Sequence, residues 1–507
     1  MLLAFAAVPA AATPARAAVS VETALRSSAS GSGFASFYRA RNYRPLWISG
    51  GSLAPEAMQL VAMVERADLD GMDSGAELAE RLQQVVERAE SGKDNDLARA
   101  ELALSAALVE YVQTLRRPVD VGMTYVDEAL EPSAPSANAI LRAAAAAPSL
   151  AEHLDSVSKL NPTYAQLRDG LAAWRERWGN LPRIAVPSGP PLTLGASGRR
   201  VHLLRERLGL PGKGTFDQSV AQAIREFKSA HGLPATPIAD TATIEALNKD
   251  PRLFEERLKL NLDRARLLPA ENKGRYILVD AAAARLWLYE NGRVRDTMRV
   301  VVGRPAEPTP MLAGLVRFAV LNPYWNVPPD LVQKRIAPNV VKQGVSYLKA
   351  QKYEVLSDWT DEAHVVDPGE IDWTAVAAGR KEVRVRQLPG PENMMGSIKF
   401  MFPNDFGVYL HDTPEKSLFS QSDRMQSSGC VRVEDAARLA RWLFGKMPRA
   451  ESSKPEQTVH LPQPVPVYIT YFTAGQEGNG LAFRHDVYGR DVNRGSRFAS
   501  GHRIQAD

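Results

Sequence analysis

Tyr276-Ile277-Leu278-Val279-Asp280, Arg285-Leu286-Trp287-Leu288-Tyr289 and, beyond Asn291-Gly292, Arg299-Val300-Val301-Val302-Gly303 decide the fold of this chain. Short runs of β-branched, aromatic and aliphatic residues bounded by turn formers predict three strands, with a turn at Asn291-Gly292. Further strands are expected at Arg317–Leu321, Ile398–Phe402, Val408–His411 and Val467–Tyr471. Together they make residues 274–475 a β-rich domain. Between about 330 and 395 the pattern turns helical and polar, which predicts a helical insertion, either a lid beside whatever site the strands build or a decoration of the surface.

Upstream the period changes from two to about 3.6. Residues 20 to about 185 are rich in Ala, Leu, Glu and Arg at helical spacing, as in Ala76–Leu82 and Leu97–Leu115. A helical domain is therefore expected over 34–190, completed by a further helix over 251–270. Phe37, Tyr38, Tyr43 and Trp47 form an aromatic cluster read as a core anchor. Pro187, Pro190 and Pro191 with Gly189 and Gly195 mark a boundary. Residues 193–250 then carry apolar positions Val201, Leu204, Leu208, Ile224, Phe227, Ile244 and Leu247 at three- and four-residue steps, which predicts three short helices. The fold class is α+β and multidomain, with a tail at 476–507.

The start reads as a signal peptide over 1–17: small apolar residues to Ala12, then Ala15-Arg16-Ala17 in the pattern of a signal-peptidase site. It is too short to span a bilayer, which takes roughly 20 residues. No Lys or Arg precedes the apolar core, so either translation begins upstream or the signal is weak. The expected location is periplasmic, with no integral membrane segment in the mature form. The 62 basic and 58 acidic residues are interspersed and leave a net charge of +4, which gives no electrostatic case for nucleic acid.

Cys430 is the only cysteine of 507 residues, so no intramolecular disulfide exists to explain it. It sits in Ser427-Ser428-Gly429-Cys430-Val431-Arg432, and His411 lies nineteen positions upstream on a strand end. A glycine before the thiol lets backbone approach a substrate carbonyl, and a separate imidazole can take the thiol proton. Thiolate attack on an amide would place charge on an oxygen that the N–H groups of Gly429 and Cys430 are positioned to hold. Asp412 follows His411 directly, and adjacent strand side chains point to opposite faces, so a backbone carbonyl or another residue is expected to orient the imidazole.

Rival chemistries lack residues. Ser156-Val157-Ser158-Lys159 and Ser346-Tyr347-Leu348-Lys349 fit S-x-x-K, but no K-T-G accompanies them. The eight histidines are scattered without H-E-x-x-H, so no metal and no cofactor is expected.

The Ser427, Gly429, Cys430, Val431 and Arg432 motif with upstream His411 resembles the L,D-transpeptidase (YkuD-type) catalytic domain, with Ser428 where many members carry a second His. The 193–250 segment resembles a peptidoglycan-binding module, with Pro237-Ile238-Ala239-Asp240 in place of that family's second glycine-rich turn. The whole arrangement is similar to the large periplasmic, scaffold-containing subfamily (YcbB type). That resemblance also rests on Asn322-Pro323-Tyr324-Trp325-Asn326-Val327-Pro328, on Phe402-Pro403-Asn404 and on Asp486-Val487-Tyr488-Gly489.

The resemblance implies Cys430 as nucleophile and His411 as general base, with Gly429 and Ser428 shaping the loop and Arg432 either buttressing it or meeting a carboxylate. It implies that Tyr324, Trp325, Asn326 and Tyr409 line a substrate pocket. The expected reaction is transfer of a stem peptide from D-alanine to a second stem through a thioester, giving a 3→3 cross-link. Peptidoglycan stem peptides and glycan strands are the implied partners, with cell-wall synthesis proteins as further ones. Water or a protein lysine as acceptor would make the same thioester an L,D-carboxypeptidase or an anchoring enzyme. A wall-binding scaffold without catalysis is the alternative from a different class.

Overall fold

The computed structural model describes residues 14–211, 214–270, 274–452, 454–477 and 480–491; residues 1–13 of the expected signal segment and the tail beyond 491 lie outside the described residues. The first region is helical: α1 (Pro14–Ser28), α2 (Ala35–Ala40), α3 (Glu56–Glu65), α4 (Gly75–Ala89), α5 (Asp94–Leu115), α6 (Ala137–Ala146), α7 (Leu150–Val157) and α8 (Pro162–Trp174). A small ribbon, β1 (Ile48–Ser49) with β2 (Ser52–Leu53), interrupts it, and β3 (Thr124–Tyr125) leaves it. Local chemistry sets the helix starts. The side chain of Asn161 accepts from Tyr164 N–H ahead of α8, whose first residue is Pro162. The aromatic cluster is a core anchor in the structure: Tyr38 and Trp47 are fully buried, and both bond Ser105 while the Glu101 carboxylate accepts from Tyr38 and Trp47 N–H.

Three helices follow, α9 (Arg199–Arg207), α10 (Gln218–Ala230) and α11 (Thr241–Asn248). Asp217 caps α10 through Val220 N–H, and Asp240 caps α11 through Thr243 N–H. Helix α12 (Pro251–Arg266), capped by Asp250, packs Leu258, Leu262 and Ala265 into the same core as the helical region. Asn161 reaches across to donate to Ala265 O at 2.9 Å.

The remaining strands are β4 (Arg275–Asp280), β5 (Arg285–Glu290), β6 (Arg293–Gly303), β7 (Leu312–Leu321), β8 (Trp325–Val327), β9 (Tyr353–Leu356), β10 (Val365–Val366), β11 (Arg384–Gln387), β12 (Ile398–Met401), β13 (Leu410–His411), β14 (Met425–Ser427), β15 (Val431–Val433), β16 (Gln457–Thr470), β17 (Ala474–Glu477) and β18 (Gly480–Phe483). Hydrogen-bonded neighbours run β12-β13-β15-β6-β5-β4-β16-β7, and β7 also pairs with β12. The sheet therefore closes on itself and leaves no edge in that ring. Leu288, Val300, Phe400, Leu410, Val431 and Ile469 fill its apolar core. Asn291 and Gly292 both take positive φ at the β5–β6 hairpin, the geometry that an Asn-Gly pair supplies.

Two features depart from the sequence reading. Strand β3 from the helical region pairs in parallel with β7, Thr124 against Leu312 and Tyr125 against Ala313. The insertion expected to be helical carries a four-stranded sheet, ordered β10-β9-β11-β8, beside the short helices α13 (Pro329–Leu331), α14 (Ala337–Gln343), α15 (Ser346–Ala350) and α16 (Trp373–Ala377). Its strands hold two to four residues, too few for a period-two signal to show, and the pairing begins at Trp325, before the expected start. The last helix, α17 (Ala436–Phe444), starts at an Asp435 cap on Arg438 N–H and stops at Gly445 in the left-handed region.

Candidate active site

Strand register builds the site. β13 and β15 run parallel, with Leu410 opposite Val431 and His411 opposite Arg432. Leu410 and Val431 face the barrel core, fully buried. Alternation then sends Tyr409, His411, Cys430 and Arg432 to the other face of these two strands. β12 adds Lys399 beside His411, and Lys399 Nζ lies 3.2 Å from both Glu456 carboxylate oxygens. Two residue pairs far apart in sequence thus become one cluster.

The His411 ring is buried, and its Nδ1 lies 2.5 Å from the carbonyl oxygen of Asp412. A carbonyl only accepts, so Nδ1 carries the proton in this bond and the Nε2 lone pair is left for another group. The Asp412 carboxylate turns away: it accepts from Ser397 N–H and Oγ at 3.0 Å and from Lys416 Nζ at 2.7 Å. The expected backbone partner is therefore present. Burial pushes the imidazole down to about 3, with the Arg432 cation adding to it and the Asp412 carbonyl opposing it. His411 is neutral at any physiological pH.

The Cys430 thiol is half-buried and donates to Gly407 O at 3.5 Å. Burial raises its pKa, while Tyr409 N–H, the Arg432 cation and the Tyr409 hydroxyl favour the thiolate. The resting pair is a thiol and a neutral imidazole, and proton transfer belongs to the reaction rather than to the resting state. The Tyr409 ring meets His411 edge-on at 5.7 Å, and burial next to Cys430 holds its phenol protonated.

Hydroxyl and backbone groups hold the loop before the thiol. Ser427 Oγ donates to Cys430 O at 2.6 Å and accepts from Gly429 N–H at 3.2 Å. Thr309 Oγ1 accepts from Gly303 N–H and donates to Gly429 O, both at 2.8 Å. Tyr488 OH donates to Gly303 O at 2.5 Å behind them. Gly429 has φ +107°, a conformation that disfavours a β-carbon although the space for one is open. That turn aims its N–H at Ser427 Oγ in the resting loop. Ser428 is exposed and bonds the Glu307 carboxylate, which also pairs with Arg304. Arg432 pairs with Glu415 and stands over the same face as His411.

Tyr409 alone of the expected pocket residues contacts the thiol among the described residues. Tyr324 lies under Arg386, 4.1 Å from its ring centroid, and its N–H donates to Glu456. Trp325 packs toward Tyr353 in the insertion's own core, and Asn326 is exposed at the β8–β11 pairing. These three form the neck of the insertion. Sequence reasoning missed Thr309, an isolated hydroxyl that carries no pattern, and it singled out Ser427 and Tyr488 as motif residues without seeing that they hold the loop. Among the described residues no three metal-ligating side chains converge, and no helix is long and apolar enough to cross a membrane.

Residues 274–466 match the family model of the L,D-transpeptidase catalytic domain (YkuD), residues 32–171 that of a "Scaffold domain" and residues 203–247 that of a "Putative peptidoglycan binding domain". The chain carries these three domains. A Haemophilus influenzae protein named "Putative L,D-transpeptidase" is 32% identical over 243 residues, 46% of this chain and 48% of that protein. The chain spans about half the length of this curated relative. Among solved structures, an L,D-transpeptidase from Mycobacterium smegmatis is 15% identical with a TM-score of 0.20, covering 39% of this chain and 58% of the other. One of Enterococcus faecium L,D-transpeptidase is 13% identical with a TM-score of 0.20, covering 40% and 51%.

Proposed function

We propose that this chain is a periplasmic peptidoglycan L,D-transpeptidase that forms 3→3 cross-links through a Cys430 thioester. The observation that supports this most is the shared face of β13 and β15, where a half-buried thiol and a neutral, carbonyl-fixed imidazole stand on neighbouring strands. The L,D-transpeptidase domain match gives the reaction class.

Cys430 Sγ attacks the amide carbonyl between the third residue of a tetrapeptide stem and its terminal D-alanine. His411 Nε2 takes the thiol proton as the S–C bond forms. The C–N bond then breaks, the proton passes to the departing amine, and D-alanine leaves. The side-chain amine of a second stem attacks the thioester, gives its proton to His411 and restores the thiol. Because His411 is neutral, it can accept a proton in each half of the cycle. With Gly429 N–H committed to Ser427, Cys430 N–H is the loop donor assigned to the developing oxyanion. Ser428, Gly429 and Arg432 act by shaping the loop and its field.

The test is incubation of the mature protein with disaccharide-tetrapeptide, read by mass spectrometry beside Cys430→Ala. The expected product is a dimer lighter than two monomers by one D-alanine, absent from the variant, with fragments placing the bond between third residues. Tripeptide as sole product would reassign the chain as an L,D-carboxypeptidase. Identical product in the variant would remove Cys430 from the reaction.

A further inference from the structure

Two cavities among the described residues lie away from Cys430, and both are walled by α8. One, about 560 Å³, lies where α8 meets β4 and β5 of the barrel; the other, about 520 Å³, lies where α8 meets α10 of the peptidoglycan-binding domain. Thr163, Gln166, Leu167, Gly170 and Trp174 contribute to these walls at three- and four-residue steps, so a single face of α8 runs along both cavities, and Gln166 lines both. From Thr163 to Trp174 that face is about 16 Å long.

The first cavity is cationic. Arg285, Arg424 and Arg484 line it against one carboxylate, Asp280, which pairs with Arg484. Arg285 donates to Thr297 Oγ1 at 3.3 Å, and Arg424 donates only to carbonyls: Gln421 O at 2.8 Å, Ala284 O at 3.3 Å and Ala283 O at 3.4 Å. Arg424 Nε is buried without a partner, and among the described residues neither Arg285 nor Arg424 forms an ion pair. Burial and then the neighbouring Arg285 and Arg299 depress the Arg424 pKa, against the opposing pull of Glu434 and Asp423. Trp287 and Tyr289 give the cavity an aromatic wall. The second cavity carries Asp169, Glu226 and Ser229 around Trp174, whose buried Nε1–H has no acceptor among the described residues.

We infer that the cleft along α8 is a second peptidoglycan site, with stem-peptide carboxylates held on Arg285 and Arg424 and the attached sugars extending toward α10. It rests on the reading of this chain as a peptidoglycan enzyme. Two guanidinium groups without carboxylate partners select a carboxylate over a neutral ligand, because guanidinium and carboxylate match in charge and in fork geometry. A cavity of this size takes a small molecule or a short peptide rather than a protein face. Polar groups beside an unpaired indole N–H suit a hydroxyl-rich ligand in the adjoining space. Arg424 leads directly into β14 and so into the Cys430 loop, and Val302 N–H holds its carbonyl at 2.9 Å. A stem bound there tethers the strand and raises the local concentration of stems at the thiol.

Calorimetric titration of the full chain carrying Cys430→Ala with disaccharide-tetrapeptide tests this. Two molecules are expected per chain, and one with the same compound amidated at its carboxylates. Arg285→Gln should weaken the second site about tenfold or more, the scale of one charge-assisted hydrogen bond, while Arg285→Lys keeps it. Hydrogen exchange on binding should slow at 283–285 and 421–427. A single molecule per chain, unaltered by Arg285→Gln, would overturn the site. That result beside normal cross-linking by the unmutated chain would leave the catalytic reading standing. Two-site binding beside a chain that forms no cross-link would leave only the second site.

Discussion

The Cys430 loop and the 325–387 insertion border the same domain and are stabilised in opposite ways. The loop has almost no core of its own: Ser427, Thr309 and Tyr488 hold it by hydroxyl-to-backbone bonds, and Gly429 lets it turn. The insertion has a separate apolar core built on Val332, Ile336, Val355, Trp373 and Val385, and joins the barrel by a neck at Tyr324–Val327. A catalytic loop must fix a few atoms within a hydrogen bond's tolerance, which directional bonds do. On the lid reading of the insertion, it would have to keep its shape while its position changes, which an independent core allows.

Attacks on the loop and its strands should therefore abolish chemistry, and attacks on the insertion should spare the barrel. The largest effect is expected for His411→Gln, a loss of kcat of about 10³-fold or more, measured by single-turnover release of D-alanine with Tm unchanged within a few degrees. Replacing residues 329–384 by a short linker should lower kcat/KM by about 10²-fold through lost substrate positioning. Circular dichroism and labelling of Cys430 with iodoacetamide should show an intact barrel. Unchanged kinetics would sever the insertion from turnover.

Thr309→Val removes a hydroxyl that bridges Gly303 N–H and Gly429 O. It should cost about 1–3 kcal/mol of stability, as for a buried bond left unmade, and reduce kcat more than it alters KM. An equal effect on both would mean that the loop is held by packing instead. The smallest effect concerns pH. With His411 held near 3, kcat/KM should lose no activity to imidazole protonation between pH 6.5 and about 4, and fall only below that. Folding stability should decline across the same interval, because the unfolded imidazole takes up protons there and the folded one does not. Arg432→Gln removes a cation that depresses His411, so the acid limb should move upward, by less than removal of burial would cause. A limb already centred near 6.5 in the unmutated chain would show the imidazole to be solvated.

Much of the molecule was legible in order along the chain. The Asn291-Gly292 turn and the lone Cys430 with His411 upstream on a strand end are local or compositional signals, and the turn and the strand end stand where the sequence put them. Strand alternation argued against the Asp412 carboxylate as the partner of His411 but left a backbone carbonyl and another residue both open. The sheet of the insertion was not legible, because strands of two to four residues carry no period and gain their hydrogen bonds from one another.

By itself the sequence determined which residues can react, since thiol and imidazole chemistry belongs to side chains, and which of the longer segments are helix or strand, since periodicity is local. Tertiary structure alone decided that Tyr409, His411, Cys430 and Arg432 share one face, that Gly429 N–H is spent on Ser427, and that the helical region lends β3 to the barrel. It also decided where Arg285 and Arg424 meet around one cavity. These are matters of register and long-range closure, and the physical reason is that a hydrogen-bond partner or a neighbouring charge is set by distance in space, which the order of residues does not specify.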